Sequence, residues 1–143
     1  MDADGSSETL EPTARREDRV GQLAQITRAM VALYKEQFGR GPTHARSHFS
    51  GPDAIVCLLE ETLTPVERTL VRIGEQQRLR DIRMLFQHTA ESAFRGAVEE
   101  ITGRRVIAFT SGFDTDADVA SEVFLLAPSE RLPDTFAEDE HVG

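Results

Sequence analysis

Gly39-Arg40-Gly41-Pro42-Thr43 is the stretch whose residue types come nearest to a ligand site. Two glycines allow successive backbone N–H groups to converge, and a guanidinium beside them makes an anion nest. Arg46, three residues further on, adds a second counter-charge. The candidate ligand-binding set is therefore Gly39, Arg40, Gly41, Thr43 and Arg46, and the ligand class is a small anion or nucleotide. The stretch lacks the Lys-Ser/Thr end of a phosphate-binding P-loop and does not follow a strand. The competing explanation is structural, with Gly39 ending a helix and Pro42 turning the chain.

Other chemistry-bearing residues fit solvated or packing roles better. His44 and His48 lie on one face of a strand, about 13 Å apart at the usual rise, too far to share one metal. No Glu follows His44 as a metalloprotease helix requires, so no metal is expected. Asp114, Asp116 and Asp118 alternate like the start of a calcium loop, but Val119 and Leu125 stand where Gly and Glu are needed. A solvated hairpin turn is the expectation there. Arg68, Arg72, Arg78, Arg80 and Arg83 crowd one region, and local pairing with Glu67, Glu75 and Asp81 on a solvated helix face is expected. There is no Gly-x-Ser-x-Gly, no Cys–His–acid pattern and no dinucleotide fingerprint. The reading therefore leans away from an enzyme and names no catalytic residue and no cofactor.

The net charge of -9 sits mostly in the ends. Asp2, Asp4, Glu8 and Glu11 outweigh Arg15 and Arg16; Glu130, Asp134, Glu138, Asp139 and Glu140 outweigh Arg131. Residues 1–17 and 130–143 hold few large apolar groups, so burial cannot offset their ordering entropy, and both are expected to be disordered acidic tails. A single domain of residues 18–129 remains. Its mild acidity argues against nucleic-acid binding, which needs a basic footprint. Cys57 is the one cysteine and falls in an apolar run, where it packs as a small hydrophobe. No apolar run approaches the ~18 residues of a membrane span, and the N-terminus has no signal-peptide core. The expected location is cytoplasmic.

The elements that must position these residues follow from periodicity. Val20, Leu23, Ala24, Thr27, Met30, Val31, Tyr34 and Phe38 form one apolar stripe, predicting a helix from about Asp18 to Phe38 that stops at Gly39. Residues 43–50 read as a polar edge strand, Ser50–Asp53 as a turn, and Ala54–Leu59 as a buried strand. Thr64-Pro65-Val66-Glu67 is a capping box with Pro at the first helical position. The short helix it opens runs to about Ile73. A longer stripe follows: Leu79, Ile82, Phe86, Ala90, Ala93, Ala97 and Ile101. The two stripes are out of phase by roughly half a turn at 3.6 residues per turn, so a break is expected at Gly74–Gln76. The long helix stops at Gly103. Val106–Ser111 and Val119–Leu126 then form a hairpin around Gly112–Asp118.

The order α-β-β-α-α-β-β predicts an α+β fold, with about four strands in a mixed or antiparallel sheet and three helices on one face. The sheet's open face or an edge invites a homodimer.

Three blocks carry a resemblance: Phe38-Gly39-Arg40-Gly41-Pro42-Thr43, Leu63-Thr64-Pro65-Val66-Glu67-Arg68-Thr69-Leu70, and Ala97-Val98-Glu99-Glu100-Ile101-Thr102-Gly103-Arg104-Arg105-Val106. In this order and spacing the chain resembles the MpsC-like family over about residues 18–127. The family is named for a sodium-translocating, membrane-potential-generating system. The resemblance implies a bacterial or archaeal cytoplasmic protein linked to membrane ion or inorganic-carbon uptake, with no established reaction and no catalytic residues. Without a span, such a chain is at most a peripheral subunit. The leading expectation is a non-enzymatic accessory or regulatory domain that binds a protein partner, a component of a membrane transport system. The alternative is a small anion or nucleotide sensor at the Gly39–Thr43 turn.

Overall fold

The computed structural model describes residues 2–128, with side chains from residue 16 onward. In chain order its elements are α1 (Asp2–Phe38), β1 (His44–Ser50), β2 (Ala54–Glu60), α2 (Pro65–Arg72), α3 (Gln76–Thr102), β3 (Val106–Asp114) and β4 (Val119–Leu126). The strands make one sheet in the order β1-β2-β4-β3, every neighbouring pair antiparallel. This is the α+β architecture expected, with the polar strand β1 at an edge. The expected tail 130–143 lies outside the described residues, as do the side chains of most of the tail 1–17. α1 begins ahead of the expected Asp18, because Arg16-Glu17-Asp18-Arg19 holds no helix breaker.

Local chemistry sets the element ends. Gly39 takes a left-handed φ of 76° and its N–H donates to Lys35 O at 2.8 Å, closing α1. Thr64 Oγ1 accepts from Glu67 N at 3.2 Å and Glu67 Oε1 accepts from Thr64 N at 2.9 Å, the reciprocal capping box. Gly74, at φ 84°, makes the bend between α2 and α3. This is the break that the phase of the two stripes demanded.

One boundary and one buried face differ from expectation. β3 runs on to Asp114, because Gly112, Phe113 and Asp114 stay in register with Ser121, Ala120 and Val119. The buried face of α3 is Leu79, Arg83, Gln87, Phe94 and Val98, whereas Ile82 and Phe86 of the expected stripe are each 41% exposed. Two polar residues occupy core positions, so apolar periodicity selected the neighbouring face.

The core lies between the sheet's inner face and the helices. Ile26, Met30 and Tyr34 of α1 and Phe94 and Val98 of α3 pack on Ile55, Cys57, Leu59, Val106, Ala120, Phe124 and Leu126. Arg104 clasps the far end of the sheet: it donates to Pro52 O at 2.9 Å and Ala127 O at 2.8 Å, and pairs with the Asp53 carboxylate.

Candidate functional site

Alternation along each strand sends every second residue inward. Register then decides which inward residues meet. Ser47 stands opposite Cys57, Cys57 opposite Glu122, and Glu122 opposite Ser111. One inward row is thus polar across all four strands. On one side it is flanked by Phe49, Ile55, Phe124 and Phe109, and on the other by Ala45, Leu59, Ala120 and Phe113.

The helices close over this row with polar groups of their own. On α1, the Thr27 and Ser47 hydroxyls are 2.7 Å apart, and the Tyr34 hydroxyl donates to Glu122 Oε2. On α3, Gln87 Nε2 donates to Tyr34 OH at 3.2 Å and to Glu122 Oε2 at 3.1 Å. Glu122 has no exposed surface. Its Oε1, Gln87 Oε1 and Ser111 Oγ are buried with no hydrogen-bond partner among the described residues. Burial pushes the Glu122 carboxyl up to about 7, although Tyr34, Ser111 and Gln87 beside it favour its ionised form. Burial also raises the Tyr34 phenol, and the nearby Glu122 charge raises it further. The Cys57 thiol is raised by burial to about 11, which leaves it an inert packing group.

A second buried unit sits one turn before Gln87. Arg83 is 1% exposed. Its Nε donates to Glu67 Oε2 at 2.7 Å, and one terminal nitrogen donates to Glu67 Oε1 at 2.6 Å and Thr62 O at 3.0 Å. The guanidinium lies 3.8 Å from the Phe38 ring centre and 5.2 Å from that of Phe113. Burial pushes the Glu67 carboxyl up, but Arg83 and the Thr64 cap outweigh this and hold it below its ordinary value. The expected solvated role for Arg83 is therefore corrected: the bend at Gly74 folds α3 back so that Glu67 and Arg83 meet. Arg78 does pair locally, with Glu75 at 3.1 Å.

The sequence-derived anion set is only partly brought together. Arg40 Nε donates to Glu61 O at 3.3 Å, and Thr43 Oγ1 donates to Glu61 Oε1 at 2.6 Å. Gly39 and Gly41 flank Arg40 in the same turn. Arg46 belongs to the outer sheet face, where it pairs with Glu60 at 2.5 Å and holds that carboxyl below its ordinary value. His44 and His48 are exposed at alternate positions of the same strand. Glu61 itself is left-handed, at φ 61°, and its N–H donates to Asp118 O at 2.9 Å. Asp118 is not the solvated turn residue expected. Its carboxylate accepts from Thr62 N at 2.9 Å and from Leu63 N at 3.2 Å, tying the β3–β4 turn to the entry of α2.

Among the described residues, exposed large apolar side chains are most numerous at the corner of α2 and α3. No residue of α2 is buried. Val66 and Ile73 are 72% and 65% exposed, and on α3 Ile82, Met84, Leu85 and Phe86 are exposed around Arg83, the one residue of that run turned inward. Arg68, Arg72, Arg78 and Arg80 lie on the same two helices and are exposed. Further along α3 an open groove of about 570 Å³ is lined by His88, Glu91, Ser92, Arg95 and Glu99. Its charges are already engaged: Arg95 bonds Glu91 and Val106 O, and Glu99 bonds Val106 N.

The sequence reading passed over the roles of Tyr34, Gln87 and Glu122. One signal was available: Glu122 shares inward parity with Ala120, Phe124 and Leu126. A family model described as "Na+-translocating membrane potential-generating system (MpsC)" matches residues 21–128. No curated protein and no solved structure matches the chain.

Proposed function

The chain belongs to the MpsC family, and we propose that it serves as a non-enzymatic accessory subunit of a membrane ion or inorganic-carbon transport system. It docks a protein partner on the α2–α3 corner. Among the described residues no helix is long and apolar enough to cross a membrane, so attachment to such a system requires a docking surface. The observation that carries the reading is the uncovered apolar corner. α2 keeps Val66 and Ile73 in solvent, and α3 adds Met84 and Leu85. Uncovered apolar groups within a polar rim are the usual mark of an interaction surface. The exposed arginines of the two helices favour a partner with an acidic border. Glu75 and Asp81 among them disfavour an anionic lipid surface.

The test is sedimentation of the purified chain with native membrane vesicles and with protein-free vesicles of the same lipids. The chain is expected to sediment with native membranes only, and Leu85→Glu to weaken that binding at least tenfold, about 1.4 kcal/mol. Leu85 is 64% exposed, so circular dichroism of the variant is expected to be unchanged. Equal binding to both vesicles would assign the corner to lipid, and a soluble dimer split by Leu85→Glu would assign it to a second copy. Either result overturns this reading.

A second reading, a small-anion sensor at the Gly39–Thr43 turn, draws support from Arg40. Among the described residues its guanidinium makes one long bond, and the strained Glu61 backbone holds the turn in place. Phosphate, bicarbonate or a nucleotide at about 100 times its dissociation constant is then expected to add about 2.7 kcal/mol of stability. That thermal shift is expected to vanish in Arg40→Ala. No shift with any of the three ends this reading.

A further inference from the structure

We propose that Glu122 is a reversible proton-binding site, and that its proton sets how firmly α1 and α3 close on the sheet. The inference is independent of the docking corner and concerns the buried row under α1 and α3. Glu122 accepts from Tyr34 and Gln87 through one oxygen only, Oε2. Its other oxygen, the Gln87 carbonyl oxygen and the Ser111 hydroxyl are all buried and unpartnered among the described residues. An ionised carboxylate is acceptor-only, whereas a protonated one gains an O–H donor. A proton on Glu122 Oε1 therefore turns one unpartnered acceptor into a donor, on a residue whose cross-strand neighbour, Ser111, carries a hydroxyl able to accept it.

The charges around the site point the same way. α1 presents Tyr34, a neutral phenol held protonated by burial. β2 presents Cys57, a neutral thiol, beside Ser47 of β1. β3 presents Ser111. α3 presents the Gln87 amide, and one turn earlier the Arg83 cation, which pairs with Glu67 of α2 and keeps one buried terminal nitrogen without a partner among the described residues. No described group in contact with Glu122 is a cation. Ionisation thus leaves a charge in the core between Phe124, Phe109 and the helices, a state that burial strongly disfavours. Tyr34 and Gln87 are the ties from α1 and α3 to this carboxyl, so its charge state acts on the contact of both helices with the sheet.

The dependence on pH has a definite sign. The carboxyl is raised from 4.5 to about 7 on folding. A raised acid contributes stability that is complete below 4.5 and is lost as pH rises through about 7. One proton changes the folding constant at most tenfold per pH unit, so the full window amounts to roughly 300-fold.

The test is urea denaturation of the full chain and of its Glu122→Gln variant from pH 5 to 8, together with a carbon-13 NMR titration of the Glu122 carboxyl. Glutamine retains an oxygen for the Tyr34 hydroxyl and carries no charge, so it mimics the protonated state. The wild-type folding constant is expected to fall with pH relative to the variant, the difference approaching roughly 300-fold only by pH 8. The carboxyl resonance is expected to titrate near neutrality. Identical pH profiles for the two proteins, or a carboxyl that titrates in the ordinary range, would overturn the proposal. The NMR arm uses wild-type protein and decides the matter even where Glu122→Gln does not fold.

Discussion

Arg83→Ala is expected to destabilise the domain by about 3–5 kcal/mol, the range for removing one partner of a buried ion pair. Arg83 is 1% exposed, and it meets Glu67 through two parallel bonds of 2.7 and 2.6 Å. Alanine leaves the Glu67 carboxylate without its counter-charge, and the half-buried carboxylate keeps only its cap bonds to Thr64 and solvent on its outer side. It also leaves Thr62 O without a donor and removes the guanidinium from between the Phe38 and Phe113 rings. Such cation–π contacts contribute roughly 0.5–2 kcal/mol each. Urea denaturation measures the loss. The paired replacement Arg83→Met with Glu67→Gln is expected to recover part of it, because glutamine keeps the bond from Thr64 N and the pair leaves no bare charge behind. A loss below about 1 kcal/mol for Arg83→Ala would place the pair in the class of solvated surface bridges. The pair joins the bend between α2 and α3, so a loosened α2 is the expected local consequence, seen as faster amide exchange over Pro65–Arg72.

Phe124→Ala is expected to cost about 3–5 kcal/mol, the range for emptying a large aromatic site in a packed core. Phe124 has no exposed surface and its ring centre is 5.1 Å from that of Phe109, which in turn lies 5.8 Å from Phe94. These rings form the apolar wall on one side of the polar row. A neighbour supplies the control. Leu125 is the next residue on β4, points to the other face of the sheet and is 42% exposed. Leu125→Ala is expected to cost less than about 1 kcal/mol, since little apolar area leaves water there on folding. Equal losses for the two variants would mean that the alternation of β4 is not as described. The same denaturation curves give the slope with urea, which is expected to remain at the wild-type value if both variants unfold in one step.

Much of this architecture is legible because its causes are local. Thr64, Pro65 and Glu67 lie within four residues, and a capping box needs nothing further to form. Gly39 and Gly74 end or bend helices through their own backbone freedom. The phase difference between the stripes on either side of Gly74 is likewise a short-range property, and it correctly separates α2 from α3. Hairpin pairing follows from short turns, which is why both antiparallel pairs and the polar edge strand β1 are as expected.

The buried polar groups were not legible, and the reason is the range over which they are assembled. Ser47, Cys57, Ser111 and Glu122 form one row only when four strands adopt a particular register. Glu67 and Arg83 pair only after the chain bends between them. On α3 a helical pattern assumes that buried means apolar, so it points Arg83 to solvent and Ile82 and Phe86 to the core, and it gives no role to Gln87. The amino-acid sequence by itself determined the helices, the strands, most of their ends and the family, because hydrogen-bond caps, turn conformations and hydrophobic periods act over a few residues. The packing of distant segments decided which polar groups share a dry interior, because burial and charge pairing depend on neighbours that chain order does not reveal.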